Sequence, residues 1–349
     1  MNDNLLRYQI RADQNVLEAF RMLNDFDQKD ALTLFVTDEY GLILGTLTDG
    51  DIRRKLVEGY QLTDSVDRIM HKDFYFLQTD NISVKTIRDC KNKGIFLIPI
   101  IDKKGRIVDV VNLKKYKSYL PIDAVLMAGG KGERLRPITE NIPKPLIKIK
   151  EKAIIDYNID SLLSFGIKHV SVTVNYLKEQ IEKHFSIPYN GISIQCIREP
   201  QYLGTIGSIK FIDKFYNDTV LVMNSDIFTN INYEDFYIHF CENEADMSVA
   251  AIPYSISVPY GVFELEGRCI QGVKEKPTYN YYANAGIYLI KKELLDLIPD
   301  DTFFNATDFI DYLLQANRKI VRFPITGYWI DIGKHEELIR AKDLAKHIF

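Results

Sequence analysis

Cysteine is scarce and scattered. Cys90, Cys196, Cys241 and Cys269 are the four present, with no C-x-x-C pair and no histidines at ligand spacing. That excludes a disulfide framework and a structural zinc site, and it reads as reduced thiols in a cytoplasmic protein. Long apolar runs are missing too. Ile95 to Ile101, the run that most resembles a membrane segment, is far short of the roughly 20 residues a spanning helix needs and reads as a buried strand. The start, Met1-Asn2-Asp3-Asn4, is polar and acidic where an export signal carries positive charge and then an apolar stretch, so export is not expected. Neither sign of charge is in excess: 44 Lys+Arg face 48 Asp+Glu, a net charge of -4. That provides no broad cationic field for a nucleic acid or an anionic membrane, and any anion must be bound locally. What is present is the composition of a folded chain, 46% hydrophobic and 26% charged over 349 residues, with room for about two domains.

Residues 1–118 repeat themselves. The first copy runs from Asp13 through a helical stripe, Val16, Ala19, Phe20 and Leu23, to strands Leu32–Thr37 and Leu42–Leu47 with a turn at Asp38 and Gly41. The second runs from Asp80 through Val84 and Ile87 to Ile95–Ile101, a turn at Asp102 and Gly105, and Ile107–Val111. Both share the order helix, strand, turn, strand, and such self-similarity exposes architecture before any motif does. With Gly45 to Asp51 closing the first copy, the pattern resembles a tandem pair of CBS domains, an α+β module. The resemblance implies that Thr48 and Asp51 hold the ribose of a regulatory adenine or guanine nucleotide, while the same two residue types also suit a helix cap. Asn112 and Lys115 stand at the equivalent positions of the second copy, so one half-site at most is expected. CBS pairs commonly associate disc to disc, and a homo-oligomer assembled partly through residues 1–118 is expected.

After a linker at Tyr116 to Pro121, residues 119–349 alternate strand and helix: Ala124–Ala128, Ile154–Phe165, Val170–Val174, Leu177–Phe185, Ile192–Ile197, then strands Val220–Met223 and Met247–Ala251. Alternation of this kind predicts a mostly parallel sheet with ligands at the carboxyl ends of its strands. Directly after the first strand comes Gly129-Gly130-Lys131-Gly132-Glu133-Arg134, then Pro143-Lys144-Pro145. Glycines let backbone N–H groups approach phosphate oxygens and the cations complete an anion site, so a polyphosphate is the natural guest. The spacing is not that of a P-loop, because Gly132 follows Lys131, nor of a dinucleotide-binding G-x-G-x-x-G, because Leu135 stands at its last position.

This run resembles the signature of the sugar-1-phosphate nucleotidyltransferases, above all those that make GDP-mannose and GDP-heptose, with Glu133 where the family usually has Thr. The resemblance implies a Rossmann-like α/β domain with a mixed, mostly parallel sheet. Arg134 would contact the nucleoside triphosphate and Lys144 the reacting phosphates, and Gly129, Gly130 and Gly132 would cradle the nucleotide. Asp226, at the end of a central strand, and Asp331, in a W-x-D-x-G segment, would carry Mg²⁺. Glu199 and the Leu203-Gly204-Thr205-Ile206-Gly207 loop would recognise the base, and Gly261, Glu275, Lys276 and Asn284 the sugar phosphate. The implied reaction joins a sugar 1-phosphate to a nucleoside triphosphate, GTP first among them, to give an NDP-sugar and pyrophosphate for bacterial surface glycans. Glucosamine, mannose and heptose 1-phosphates are the candidate acceptors. No side-chain nucleophile is needed, and no Ser/His/Asp or Cys/His constellation is present. UTP, dTTP or CTP as donor, or a non-catalytic nucleotide sensor, are the alternatives. With Phe349 so soon after Trp329, no C-terminal β-helix domain is expected.

Overall fold

A computed structural model of the chain describes residues 3–28 and 30–348; Met1 and Asn2, part of the polar start read above, lie outside them. Two compact units result: Met1–Leu120 with Leu163–Gly166, and Pro121–Leu162 with Ile167–Phe349. Among the described residues no helix is long and apolar enough to cross a membrane.

Unit 1 opens with helix α1 (Asp3–Leu6) and contains the sequence repeat as two three-stranded sheets. In the first, β1 (Gln9–Arg11) runs parallel to β2 (Thr33–Thr37), which is antiparallel to β3 (Ile43–Thr48). Helix α2 (Val16–Asn24) connects β1 to β2, and α3 (Asp49–Val57) follows β3. Asn15 and Glu18 start α2 with a reciprocal capping box, and its buried stripe is Val16, Ala19 and Leu23, the spacing of one helix face. The second copy repeats the strand senses with β4 (Leu77–Gln78), β5 (Leu97–Ile101), β6 (Ile107–Asn112) and helix α4 (Val84–Asn92). It lacks a counterpart to α3. Where Thr48 caps that helix, Asn112 Oδ1 accepts from Lys114 N at 3.0 Å and closes only a turn. The copies share a core of Tyr8, Ala31, Phe35, Leu97, Ile101 and Ile107. They also share a buried carboxylate: Asp30 of the first accepts from Tyr8 Oη at 2.6 Å and pairs with Arg7 and, at 2.8 Å, with Lys115 of the second.

Unit 2 is built on a seven-stranded sheet. Its first strand is β7 (Asp123–Ala128), followed by the short hairpin β8 (Lys148–Ile149) and β9 (Lys152–Ala153), helix α5 (Ile154–Ser164), β10 (His169–Val174), α6 (Lys178–His184), β11 (Ile194–Arg198) and β12 (Thr219–Asn224). Strands β11, β10, β7 and β12 are parallel neighbours, with Val174 beside both Ala128 and Arg198, and Asn224 beside Met127. Four strands therefore end along one edge, and whatever follows each is gathered there. Beyond them come β13 (Ile227–Thr229), α7 (Tyr233–Glu242), β14 (Met247–Ser257), the hairpin β15 (Val262–Glu266) and β16 (Cys269–Lys274), β17 (Thr278–Lys291), α8 (Ala306–Gln315), β18 (Ile320–Pro324), β19 (Trp329–Asp331) and α9 (His335–Ile348). Strand β17 is antiparallel to both β12 and β14, while β18 is parallel to β14. The sheet is thus mixed and mostly parallel.

One strand outruns its sequence expectation. β14 does not stop at Ala251 but continues to Ser257, paired residue by residue with the first half of β17. Its extra residues, Ile252 to Ser257, and their partners Thr278 to Ala283 are rich in tyrosine, isoleucine and hydroxyl side chains that favour extended backbone. This two-stranded extension and the separate two-stranded hairpin β15–β16, which lies between β14 and β17 in the chain, make up an arm.

Candidate active site

The carboxyl edge of the sheet carries a cleft of about 760 Å³. After β7 the chain turns through Gly129, Gly130 and Gly132. Two of these positions admit no side chain: a Cβ on Gly129 would lie 2.4 Å from Glu199 Oε1, and Gly132 holds φ +61° with Thr139 and Lys144 packed against it. The left-handed turn at Gly132 starts the short 3-10 helix Glu133–Leu135, which places Arg134 at the cleft wall beside Gly333. Lys144 comes from a later 3-10 turn, Lys144–Leu146.

Asp226 and Asp331 meet because β13 and β19 pair antiparallel, with Ile227 opposite Asp331. Ile332 N donates to Asp226 O at 3.1 Å. Ser225, whose hydroxyl donates to Met127 O at 2.7 Å, holds the turn before Asp226 against β7. Lys144 Nζ forms an ion pair with Asp226 Oδ2 and lies 3.8 Å from Asp331 Oδ1. Burial raises the pKa of Asp331, the Asp226 charge adds to the rise, and Lys144 and Arg134 oppose it. Asp226 Oδ1 is buried without a hydrogen-bond partner among the described residues, a cost that a cation would relieve. Two hard carboxylates, one with an orphaned oxygen, fit Mg²⁺, which takes few protein ligands and completes its shell with phosphate and water. Among the described residues no group of three or more His, Cys, Asp or Glu side chains forms a metal cage.

Glu199 follows β11 and is 2% exposed. Burial pushes its carboxyl up, opposed by the backbone N–H of Leu203. Gly204 and Thr205 continue the wall, and Thr205 Oγ1 accepts from Ala306 N at 2.9 Å at the start of α8. A second hollow of about 270 Å³ shares Thr205, Asn224 and Asp331 with the cleft and adds Asn284, Ala285 and Trp329. Trp329 Nε1 donates to Ala285 O at 2.9 Å, and Asn284 Nδ2 to Tyr288 Oη at 2.9 Å.

Of the residues singled out in the sequence, Gly129, Gly130, Gly132, Arg134, Lys144, Glu199, Gly204, Thr205, Asp226 and Asp331 all line the cleft, and Asn284 lines the hollow. Gly261, Glu275 and Lys276 line neither. They sit on the arm, all three exposed, with Glu275 Oε2 3.1 Å from where a Cβ on Gly261 would stand. Asn175 and Tyr202 were not singled out, yet both line the cleft. Asn175 directly follows β10, and Tyr202 lies three residues past Glu199, so a search confined to strand ends finds the first. In unit 1, Thr48 and Asp51 form a reciprocal capping box on α3, and Arg54 holds Asp51 at 2.6 Å.

Residues 123–347 match the family model for nucleotidyl transferase, and residues 1–58 match that for the CBS domain. The chain is 30% identical over 226 residues to a mannose-1-phosphate guanyltransferase of Yarrowia lipolytica, covering 62% of this chain and 61% of that relative. It is 29% identical over 223 residues to a provisionally named mannose-1-phosphate guanyltransferase of Sulfolobus acidocaldarius, covering 63% and 62%. The match to each curated relative thus spans less than two thirds of its length. A solved chain from Bacillus anthracis, provisionally described as a glucose-1-phosphate thymidylyltransferase, has TM-score 0.52 and 23% identity, over 65% of this chain and 96% of that one. That likeness is one of fold.

Proposed function

Because this chain belongs to the nucleotidyl transferase family through residues 123–347, we propose that unit 2 is a sugar-1-phosphate guanylyltransferase. The observation that carries this reading is the convergence of Asp226, Asp331 and Lys144 at the edge where the Gly129–Gly132 loop ends. A phosphate oxygen of the sugar 1-phosphate attacks the α-phosphorus of the triphosphate in line. The new P–O bond forms as the bond to the β-phosphate oxygen breaks, and pyrophosphate leaves. The attacking oxygen is already anionic, so no general base is needed, and the residues act by holding the attack line and offsetting repulsion between two anions. Arg134 and Lys144 supply fixed positive charge along the cleft. Asp226 and Asp331 would hold Mg²⁺, which supplies further neutralisation of the triphosphate. The loop glycines let backbone N–H groups reach the phosphates.

Guanine is favoured by Glu199: a carboxylate accepts two hydrogen bonds at once, and guanine presents an N1–H and a 2-amino group side by side. Asn284 and Trp329 mark the adjoining hollow as the sugar end. The names of two relatives support mannose 1-phosphate as the first acceptor to test, with glucosamine and heptose 1-phosphates beside it, and use of the product in bacterial surface glycans is part of the same proposal. In unit 1, Thr48 and Asp51 remain the candidate ribose contacts, although the cap they form accounts for both residue types on its own.

The test is pyrophosphate release with Mg²⁺ for GTP, ATP, UTP, dTTP and CTP against each sugar phosphate. GTP with a hexose 1-phosphate is expected to give the highest kcat/KM. No release with any pair would remove nucleotidyl transfer; a clear preference for UTP or dTTP would remove only the guanine assignment.

A further inference from the structure

Helix α5 buries an apolar face in unit 2, made by Ile154, Ile155, Ile159 and Leu162, yet two polar residues are buried along with them, Asp156 and Asn158. Asp156 is accounted for by His184, whose Nε2 lies 2.7 Å from its Oδ1. Asn158 is 3% exposed, and its Nδ2 donates to Ser225 O at 3.2 Å. A carbonyl only accepts, so the NH₂ end of the amide must be the end that faces it. Asparagine is a weak helix former, and a buried amide is costlier than an apolar side chain of similar size. Packing alone would favour a residue such as leucine here, so the contact with Ser225 is what the asparagine adds.

Ser225 O belongs to the peptide that joins Ser225 to Asp226. That peptide is planar, so a hold on its oxygen is a hold on Asp226 N and Cα. On the other side, Ile332 N donates to Asp226 O at 3.1 Å and holds the peptide between Asp226 and Ile227. Ser225 itself is 2% exposed and tied twice to Met127 O, by its N at 3.2 Å and by its Oγ at 2.7 Å. Both peptides that flank Asp226 are thus fixed by other elements, one by α5 and one by the segment after β19. We propose that Asn158 is a positioning residue for Asp226. It lines neither the cleft nor the hollow, and it acts by setting where the Asp226 carboxylate stands against Lys144 and Asp331. A misplacement of about 1 Å can cost on the order of 10² in rate, and loss of a group that orients a metal ligand costs about 10–100-fold in metal affinity or activity. The inference rests on the reading of Asp226 as a Mg²⁺ carboxylate in nucleotidyl transfer.

The test uses the full chain and two replacements: Asn158→Leu keeps the volume and the helix and removes the donor, and Asn158→Ala serves should leucine not fit. Ile159→Val is the control, since it loosens the next buried position of α5 and leaves the Ser225 contact in place. Each Asn158 variant is expected to lower kcat for pyrophosphate release by about 30-fold or more while the KM for GTP stays within about threefold of the wild type. Mn²⁺ affinity, read by electron paramagnetic resonance on the complex with α,β-methylene GTP, whose α,β link does not break, should weaken about tenfold. Ile159→Val should lower the melting temperature and change neither kcat nor Mn²⁺ affinity. An Asn158 variant with wild-type kcat or wild-type Mn²⁺ affinity, or a loss that Ile159→Val reproduces, would overturn the proposal. A wild type that releases no pyrophosphate would remove nucleotidyl transfer itself, and the proposal with it.

Discussion

Asp226 and Asp331 are the same residue type in two environments. Asp226 has one oxygen on Lys144 and one buried without a partner among the described residues, while Asp331 is pushed up by burial and by Asp226 itself. Replacing either carboxylate by the isosteric amide removes charge without removing volume. Asp226→Asn and Asp331→Asn are each expected to lower turnover by about 10² or more with an unchanged melting temperature. Single-turnover pyrophosphate release measures this, and near wild-type rates in either variant would sink the two-carboxylate assignment. Glu199 is tested by base chemistry. Inosine lacks only the 2-amino group of guanine, so an enzyme that uses Glu199 prefers GTP to ITP, and Glu199→Gln should erase most of that preference. A charged hydrogen bond is worth about 1.5–3 kcal/mol, so the ratio of kcat/KM values is expected to fall on the order of tenfold or more. An unchanged GTP to ITP ratio would move base recognition elsewhere in the cleft.

Elements decide which of these residues can meet. The turn at Gly132 runs at φ +61°, with Lys144 Cβ 3.2 Å from the position a Cβ would take. Gly132→Ala combines left-handed strain of about 1–2 kcal/mol with a push on Lys144, and kcat should fall about tenfold or more while the KM for GTP changes less. A variant with wild-type kcat would show that the loop does not position Lys144. Much of this element layer was legible in the sequence, because β7, β10, β11 and β12 alternate with helices and end in the loops that hold Gly129, Asn175, Glu199 and Asp226. The pairing of β13 with β19 was not legible as structure, since strands of three residues have no periodicity to read and register between segments so far apart is settled by packing. The arm was missed for a related reason. Pro253, two residues past Ala251, reads in sequence as a strand end, and only the pairing with β17 shows that both strands outrun the sheet. Gly261, Glu275 and Lys276, which fit a sugar-side motif by sequence, sit on that arm and outside both hollows.

The whole chain carries its cores in separate units, so its unfolding is expected to depart from a single two-state transition, and unit 1 has its own electrostatic fastener. Asp30, 1% exposed, links Arg7 and Tyr8 of the first copy to Lys115 of the second. Burial alone would raise its pKa, but hydrogen bonds from Lys115 and Tyr8 and the charges of Lys115 and Arg7 outweigh it, and the carboxyl titrates below its ordinary range. The replacement of Asp51 by Lys115 in the repeat thus acquires a structural use: the side chain that cannot hold a ribose hydroxyl holds Asp30. Removing one partner of a buried pair costs about 3 kcal/mol or more, although Arg7 and Lys115 are each about a third exposed and can regain water. Asp30→Ala is therefore expected to lower the melting of unit 1 by on the order of 10 °C and to leave pyrophosphate release by unit 2 unchanged at temperatures below that transition. The pH dependence fixes the sign. A carboxyl whose folded pKa lies below its unfolded value of about 3.9 adds stability that is complete above that value and disappears as pH falls through the folded one. The gap between wild type and Asp30→Ala, measured by calorimetry, should hold steady from neutral pH down to about 5 and close below about 4. A gap that widened on acidification would mean that Asp30 is held protonated, and the copies would then be joined by a neutral hydrogen-bond network in place of an ion cluster.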